Sequence, residues 1–104
     1  MTFGKAIAEE RKKAKLSQKE LAALVKKEDG TPISPQYLND IEHDRRNAPS
    51  DFLIEQFAKA LKMDDAARLY YWAKKIPDDV KPIPDNEAQF VSAFRAFRRE
   101  RKKT

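Results

Sequence analysis

Apolar residues recur along the chain at spacings of three and four positions, the period of an α-helix with one buried face. The first such stripe contains Phe3, Ile7 and Ala14. Thr2 precedes it as a candidate N-cap, and Arg11 falls on its buried side. No stretch alternates apolar and polar residues over a useful length, as a half-buried strand would. The pattern therefore predicts an all-α chain.

Serine residues mark the starts of the next two helices. Ser17 and Glu20 have the S-x-x-E spacing of a capping box, so a second helix begins after Ser17 and is expected to end near Lys27. Ser34 is the N-cap of a third helix whose first residue is Pro35. Two short helices joined by a turn are the layout of a helix-turn-helix, whose second helix enters the major groove of DNA. Such pairs also occur in proteins that do not bind DNA.

Two further helices complete a predicted domain. Ser50 caps the fourth helix and Asp64 the fifth, which ends before Pro77. The chain has 104 residues, of which 40% are hydrophobic, so it is long enough to bury a core without disulfides. We therefore expect a compact five-helix domain in residues 1–76.

A proline-rich linker and a last helix are expected to follow. Residues 77–87 are assigned to the linker because the sequence IPDDVKPIPD contains three prolines. Residues 88–104 are predicted to form an amphipathic helix with a basic tail. Its apolar face has to be covered by the body of the chain, by a twin subunit or by another protein. The residues on this face are Phe90, Val91, Phe94 and Phe97.

The net charge of +5 is unevenly distributed. Six basic residues and one acid between Arg95 and Thr104 account for all of it, so the rest of the chain is formally neutral. That body is asymmetric, with seven basic residues and one acid between Arg11 and Lys27. A field that attracts DNA to the body must come from this asymmetry. The basic tail is interpreted as a solubility tail, a DNA clamp or an RNA-binding arm.

Composition argues against several classes of protein. Without cysteine the chain forms no disulfide and no thiolate metal site, and His43 is its only histidine, so neither a catalytic triad nor a metal site is expected. Gly4 and Gly30 cannot form a phosphate-binding loop. No apolar run is long enough to span a membrane. We expect a cytoplasmic protein that is not an enzyme and that needs no cofactor.

Four segments resemble the Cro/phage-repressor-like, or XRE, family of helix-turn-helix DNA-binding proteins. They are FGKAIAEER from Phe3, LSQKELA from Leu16, SPQYLNDIE from Ser34 and RRNAPSDFLIEQFAKAL from Arg45. The resemblance covers roughly residues 3 to 75 and implies a compact five-helix, lambda-repressor-like domain that binds operator DNA, usually as a dimer. The connection at residues 28–33 is longer than the family's turn, and Lys15 stands where the family often has glycine.

The resemblance places the base-reading residues on the third helix. Glutamine and asparagine can pair with adenine through two hydrogen bonds, and aspartate accepts a hydrogen bond from cytosine N4. The tyrosine could pack on a thymine methyl group or cover the edge of the core. The candidate base contacts are Gln36, Tyr37, Asn39 and Asp40.

Candidate phosphate contacts lie on either side of that helix. A helix N-terminus favours a phosphate, and a basic loop beside a groove-bound helix suits the DNA backbone. A solvated helix start or loop is the alternative for each position. These residues are Ser17, Gln18, Lys27, Arg45, Arg46 and Asn47.

Acidic residues on the third helix and after it have to be explained in a DNA-binding segment. The resemblance implies that Glu42 forms a structural ion pair with Arg11 on the first helix. Asp40 and Asp44 remain, and our hypothesis is that they reject non-target DNA.

The sequence thus favours a sequence-specific regulator that binds double-stranded DNA, a repressor acting as a homodimer. Two alternatives stay open. One is an antitoxin that represses its own operon and holds a toxin. The other is a helix-turn-helix module for protein interaction. In both, residues 86–104 are the candidate contact with a protein partner.

Overall fold

The computed structural model describes residues 1–74 and 86–103, with the backbone alone at Phe97 and residues 99–103. This part of the chain is helical and contains no strand, only one isolated antiparallel β-bridge between Lys26 and Pro32. The predicted all-α fold is confirmed. Its helices are α1 (Phe3–Lys13), α2 (Gln18–Leu24), α3 (Pro35–Glu42), α4 (Asp51–Ala60), α5 (Ala67–Trp72) and α6 (Glu87–Lys103).

Side-chain caps begin the first four helices where the sequence predicts them. Thr2, Ser17, Ser34 and Ser50 each accept a hydrogen bond from the backbone N–H three residues later. At α2 the capping box is complete, because Glu20 Oε1 also accepts from the N–H of Ser17 at 2.9 Å. These hydrogen bonds lower the pKa of Glu20. The caps satisfy N–H groups that have no partner inside the helix.

The predicted cap of α5 is wrong. The residue before α5 is Ala66, which makes no side-chain cap, and Asp64 is exposed. Asp65 Oδ1 instead accepts from the N–H of Ala67 at 3.0 Å. The reason is that the chain first has to end α4, and it does so at Lys62 with a φ of 55°. Asp64 therefore precedes the helix by too many residues to cap it.

Four helices end at a residue in the left-handed conformation, with φ between 55° and 60°: Lys15, Asp44, Lys62 and Lys74. After α1, α3 and α4 the next N–H returns to a carbonyl five residues earlier, which is the bonding pattern of the Schellman motif. Glycine is the usual residue at this position because it has no Cβ to strain. Three of the four positions here carry lysine.

The connection between α2 and α3 folds back on itself. Helix α2 ends at Leu24 rather than near Lys27, because Val25 leaves the helix with an extended backbone and is fully buried. The N–H of Ile33 donates to the carbonyl of Val25 at 3.0 Å, and Ile33 is also buried. The two β-branched residues thus anchor both ends of the connection in the core. Gly30 lies at its tip with a φ of 87°.

The core lies between the five helices of the domain and is covered on one side by α6. Each large side chain removed from water contributes roughly 2 kcal/mol of stabilisation. The largest fully buried side chains are Phe57, Phe90, Phe94, Ile7, Leu21, Leu38, Ile54, Leu69 and Val25.

Helix α6 packs on the body of its own chain. Phe90 lies 5.6 Å from the ring of Tyr71, and Phe94 lies 5.6 Å from the ring of Tyr70, both measured between ring centroids. The apolar face at Phe90 and Phe94 is therefore covered by the body of the chain, rather than by a twin subunit or another protein. Phe97 belongs to α6, and its side chain is outside the described part.

Ion pairs hold α6 at three points along its length. Arg68 on α5 contacts Glu87 at 2.9 Å, Arg95 contacts Asp65 at 2.5 Å, and Arg98 contacts Glu55 at 3.2 Å. Arg68 also binds Glu10 on α1 at 2.8 Å. The C-terminal helix is therefore tied to α4, to α5 and, through Arg68, to α1.

The start of α6 corrects one predicted boundary. Asn86 Oδ1 accepts from the N–H of Gln89 at 2.8 Å and caps the helix, so Glu87 belongs to α6 rather than to the linker. Residues 75–85, which include most of that linker and the end of the predicted domain, lie outside the described residues. In the described ranges, no helix combines the length and apolar character needed to cross a membrane.

Candidate nucleic-acid interface

Helix α3 divides its residues between the core and the surface. Leu38 and Ile41 are buried, with exposed fractions of 0% and 2%, and they hold the helix against α1 and α2. Gln36 is exposed, and the other three predicted base contacts are partly exposed. This division follows from the helical period, which places residues 38 and 41 on one side. Four polar side chains are left accessible to a ligand.

An ion pair fixes α3 relative to α1. Arg11 Nε lies 2.7 Å from Glu42 Oε2, and Arg11 Nη2 donates to Glu42 Oε1 at 3.1 Å. The predicted pair is therefore present, with two parallel hydrogen bonds. Arg11 Nη1 also donates to the carbonyl of Leu16 at 2.9 Å. The two side chains are 14% and 4% exposed, so the pair is largely shielded from water.

The same carboxylate reaches α2. Gln18 Nε2 donates to Glu42 Oε1 at 3.0 Å, and Asn39 Nδ2 donates to Gln18 Oε1 at 3.2 Å. Gln18 is therefore a bridge between the first turn of α2 and the outer face of α3. The predicted phosphate contact Gln18 and the predicted base contact Asn39 are neighbours that share one hydrogen bond.

Asp40 contacts three other side chains of this surface, those of Gln36, Arg45 and Arg46. Its Oδ1 accepts from Gln36 Nε2 at 3.1 Å and lies 3.5 Å from Arg45 Nη1. Its Oδ2 lies 3.5 Å from Arg46 Nε. The guanidinium of Arg46 also lies 5.1 Å from the ring centroid of Tyr37, a cation–π distance. Residues predicted to contact bases and residues predicted to contact phosphates thus lie together around the carboxylate of Asp40.

Three other predicted phosphate contacts lie outside these networks. Ser17 Oγ is used as the cap of α2 and accepts from the N–H of Glu20 at 3.0 Å. Lys27 is exposed on the connection between α2 and α3, where its N–H donates to the carbonyl of Thr31 at 2.7 Å. Asn47 is exposed directly after Arg46.

Asp44 has a structural task that the sequence did not suggest. Its Oδ1 accepts from the N–H of Gly4 at 3.0 Å, and its Oδ2 accepts from Thr2 Oγ1 at 2.6 Å. Asp44 is also the left-handed residue that ends α3, a conformation that aspartate tolerates better than most residues. It joins the end of α3 to the start of α1, which accounts for this acid without a role at DNA.

Gly4 is the second residue that the sequence did not single out. A Cβ here would overlap the carbonyl oxygen of Ile41 and lie 2.7 Å from both Glu42 O and Asp44 Oδ1. Only glycine allows α1 to approach the end of α3 so closely. A glycine inside a predicted helix was the available signal.

Comparison with protein families shows which family the chain belongs to. Residues 7–66 match the helix-turn-helix family HTH_3, which is more than half of the chain. The chain belongs to the HTH_3 family. Searches of curated proteins and of solved structures gave no match. The resemblance to XRE-family proteins is confirmed by this match.

The HTH_3 match covers most of α1 and all of α2, α3 and α4. It runs from the second turn of α1 to the residue before α5 and so includes α2 and α3, the two helices that the sequence predicts as the helix-turn-helix. HTH_3 is a family of DNA-binding transcription regulators, and this chain is a DNA-binding helix-turn-helix regulator. Among the side chains that the structure describes, no group of three or more could hold a metal ion.

Proposed function

We propose that the chain is a sequence-specific repressor that binds operator DNA with α3 in the major groove. The observation that carries the proposal is the polar face of α3, where Gln36 is exposed beside Arg45 and Arg46. Hydrogen-bonding side chains in the groove read bases, and flanking cations bind phosphates. Binding over a promoter excludes other proteins from it, so repression requires no surface beyond this one.

Base reading is assigned to four residues of α3. Gln36 and Asn39 carry amides that match adenine, and Tyr37 has an aromatic surface suited to a thymine methyl group. Asp40 can accept a hydrogen bond from cytosine N4. These groups lie on one outer face, and the ion pair between Arg11 and Glu42 keeps that face in a fixed orientation.

Phosphate binding is assigned to residues on both sides of α3. Arg45, Arg46 and Asn47 follow the helix, and both arginine side chains are more than half exposed. Gln18 lies in the first turn of α2, where the helix dipole favours an anion, and Ser17 precedes it. Lys27 adds a cation on the connection before α3. Contacts of this kind set the register of α3 on the duplex.

A homodimer is part of the proposal. Helix α3 has eight residues and is about 12 Å long, so it spans only a few base pairs. Two copies on half-sites one helical turn apart would double the sequence that is read. Sedimentation with and without a palindromic DNA would measure directly whether the chain is a monomer or a dimer.

The alternatives with a protein partner on residues 86–104 have less support. Phe90 and Phe94 are buried, with exposed fractions of 2% and 0%. The apolar face that a partner would grip is occupied at these two positions by α5. An antitoxin or interaction module would have to use another surface or displace α6.

The proposal is tested by selecting a binding site from random DNA and titrating the chain against the selected and a scrambled duplex at several salt concentrations. We expect at least about a thousandfold preference for the selected site. Arg46→Gln should weaken binding to both duplexes and reduce the magnitude of the salt slope by about 0.9. Lys59→Gln, an equal charge change on α4, is the matched control. Failure to enrich any sequence would contradict sequence-specific binding.

A further inference from the structure

The carboxylate of Asp40 lies between the side chains of Arg45 and Arg46. Arg45 Nη1 lies 3.5 Å from its Oδ1, and Arg46 Nε lies 3.5 Å from its Oδ2. One arginine therefore contacts each oxygen. No other acidic side chain contacts either arginine within the described part of the chain. In the free protein this acid is the anion that the two cations share.

Asp40 is better shielded from water than the two arginines, and Arg45 Nη1 also donates to Asn39 Oδ1 at 3.2 Å. Its side chain is 18% exposed, whereas those of Arg45 and Arg46 are 59% and 57% exposed. Gln36 Nε2 donates to the same carboxylate at 3.1 Å, and the ring of Tyr37 lies under the Arg46 guanidinium. The acid is held by its own helix, and the arginines come to it from the following loop.

Phosphate and Asp40 compete for the same donors. A guanidinium that moves toward a phosphate in the groove wall weakens its contact with the carboxylate on α3, because both contacts are already at 3.5 Å. Once the arginines leave, Asp40 is a negative charge that faces a polyanion. Phosphate binding by the two arginines therefore weakens these contacts, whatever the DNA sequence.

We propose that Asp40 is a specificity-determining residue that competes with DNA phosphate for Arg45 and Arg46. The inference rests on the proposed function and adds a mechanism for rejecting wrong sequences. At the correct site a cytosine N4 amino group can bond the released carboxylate and replace the arginines. At other sequences the carboxylate meets base acceptors or phosphates and gains no donor.

Gln36 takes part in the same exchange. In the free protein its amide nitrogen is bonded to Asp40. Release of the carboxylate to a base frees this amide to pair with the neighbouring base. Acid, amide and arginines therefore change partners together, so a wrong base at one position weakens more than one contact.

The experiment compares wild type and Asp40→Asn, which keeps the shape and one acceptor for Gln36. Both are titrated against the selected duplex and a scrambled duplex at several salt concentrations. We expect Asp40→Asn to bind scrambled DNA about threefold to tenfold more tightly, with a salt slope steeper by up to about 0.9. Its preference for the selected duplex should fall by at least the same factor. Asp64→Asn, an exposed acid away from α3, controls for net charge.

A second pair of variants tests whether Asp40 acts through the arginines. In a background carrying Arg45→Gln and Arg46→Gln, the change Asp40→Asn should tighten binding to scrambled DNA by a clearly smaller factor, because only the direct repulsion between Asp40 and DNA is removed and no cation is released. A role in helix stability alone would change the melting temperature without changing the salt slope. Thermal unfolding of all variants separates these effects.

The results distinguish a failure of sequence-specific binding from a failure of the role of Asp40. If wild type prefers no DNA sequence, sequence-specific binding and the role of Asp40 both fail. If wild type is selective but Asp40→Asn binds scrambled DNA like wild type or like Asp64→Asn, the role of Asp40 alone is wrong. An equal gain in the background without the arginines would also overturn it. A larger gain in the background with arginines supports it.

Discussion

The guanidinium of Arg11 on α1 binds the carboxylate of Glu42 on α3 through two hydrogen bonds, at 2.7 and 3.1 Å. Glu42 also accepts from Gln18 on α2 at 3.0 Å. One largely buried acid thus connects α3 to α1 and α2, the helices against which α3 packs. The stability of the domain and the orientation of its DNA-binding face depend on the same contact.

Replacing Arg11 should therefore affect both properties. Arg11→Ala leaves the carboxylate of Glu42 shielded from water without its cation, and such losses cost about 3 to 5 kcal/mol. We expect a lower melting temperature and weaker DNA binding. Lys12→Ala, at an exposed position on the same helix, is the matched control. Equal melting temperatures for the two variants would contradict the role of the pair.

Gly4→Ala should destabilise the domain by overlap. The added Cβ would meet the backbone at the end of α3, so the two helices have to separate, at a cost of about 1 to 3 kcal/mol. Gly30→Ala provides a comparison, because a Cβ there meets nothing within 4 Å and only its φ of 87° causes strain. Urea unfolding measures both. A smaller loss at Gly4 than at Gly30 would argue against the close approach.

Lys62→Gly should stabilise the chain. Lys62 ends α4 with a φ of 55°, which costs a residue with a Cβ about 1 kcal/mol and costs glycine little. We expect the free energy of unfolding to rise by up to that amount. Lys59→Gly, in the last turn of the same helix, should lower it by a similar amount. If Lys62→Gly and Lys59→Gly lowered the free energy of unfolding by the same amount, the left-handed end of α4 would carry no strain.

The stability of the fold should decrease in alkali because of Tyr70. Burial raises the pKa of the Tyr70 phenol above its ordinary value of 10.0, and the carboxylates of Glu55 and Asp51 raise it further. The unfolded chain therefore ionises this group first. Its contribution to stability is complete below about pH 10 and is lost as the pH rises above that value.

Urea unfolding between pH 8 and about pH 11.5 tests this linkage. We expect the free energy of unfolding of Tyr70→Phe to fall less steeply above pH 10 than that of wild type. The matched control is Tyr37→Phe, at a partly exposed tyrosine on α3. If Tyr70→Phe and wild type fall in parallel, the phenol does not contribute to the alkaline loss.

Features encoded within a few residues could be predicted from the sequence. The caps at Ser17, Ser34 and Ser50 depend on a hydrogen bond to the third residue along, so the spacing alone reveals them. The buried stripes follow from the helical period for the same reason. The family resemblance depends on these local patterns in order, and the HTH_3 match agrees with it.

Features that depend on a distant residue could not be predicted from local patterns, and the pair of Arg11 and Glu42 was expected only through the family resemblance. Val25 leaves α2 early because it pairs with Ile33 across the connection, and no local signal marks that contact. Asp44 binds Thr2 and Gly4 some forty residues earlier in the chain. The cluster around Asp40 likewise requires the geometry of the loop after α3. The sequence singled out the residues of this cluster as candidate DNA contacts but did not show that they contact one another.

The central claim is that α3 reads DNA sequence, and parallel selection of binding sites from one random library tests it most directly. Wild type and Gln36→Ala are compared, with Gln56→Ala on α4 as the control for loss of a glutamine. We predict that Gln36→Ala loses preference at one position of each half-site, where the discrimination is about 1 to 3 kcal/mol, and keeps the rest of the consensus. An unchanged consensus for Gln36→Ala would contradict the claim.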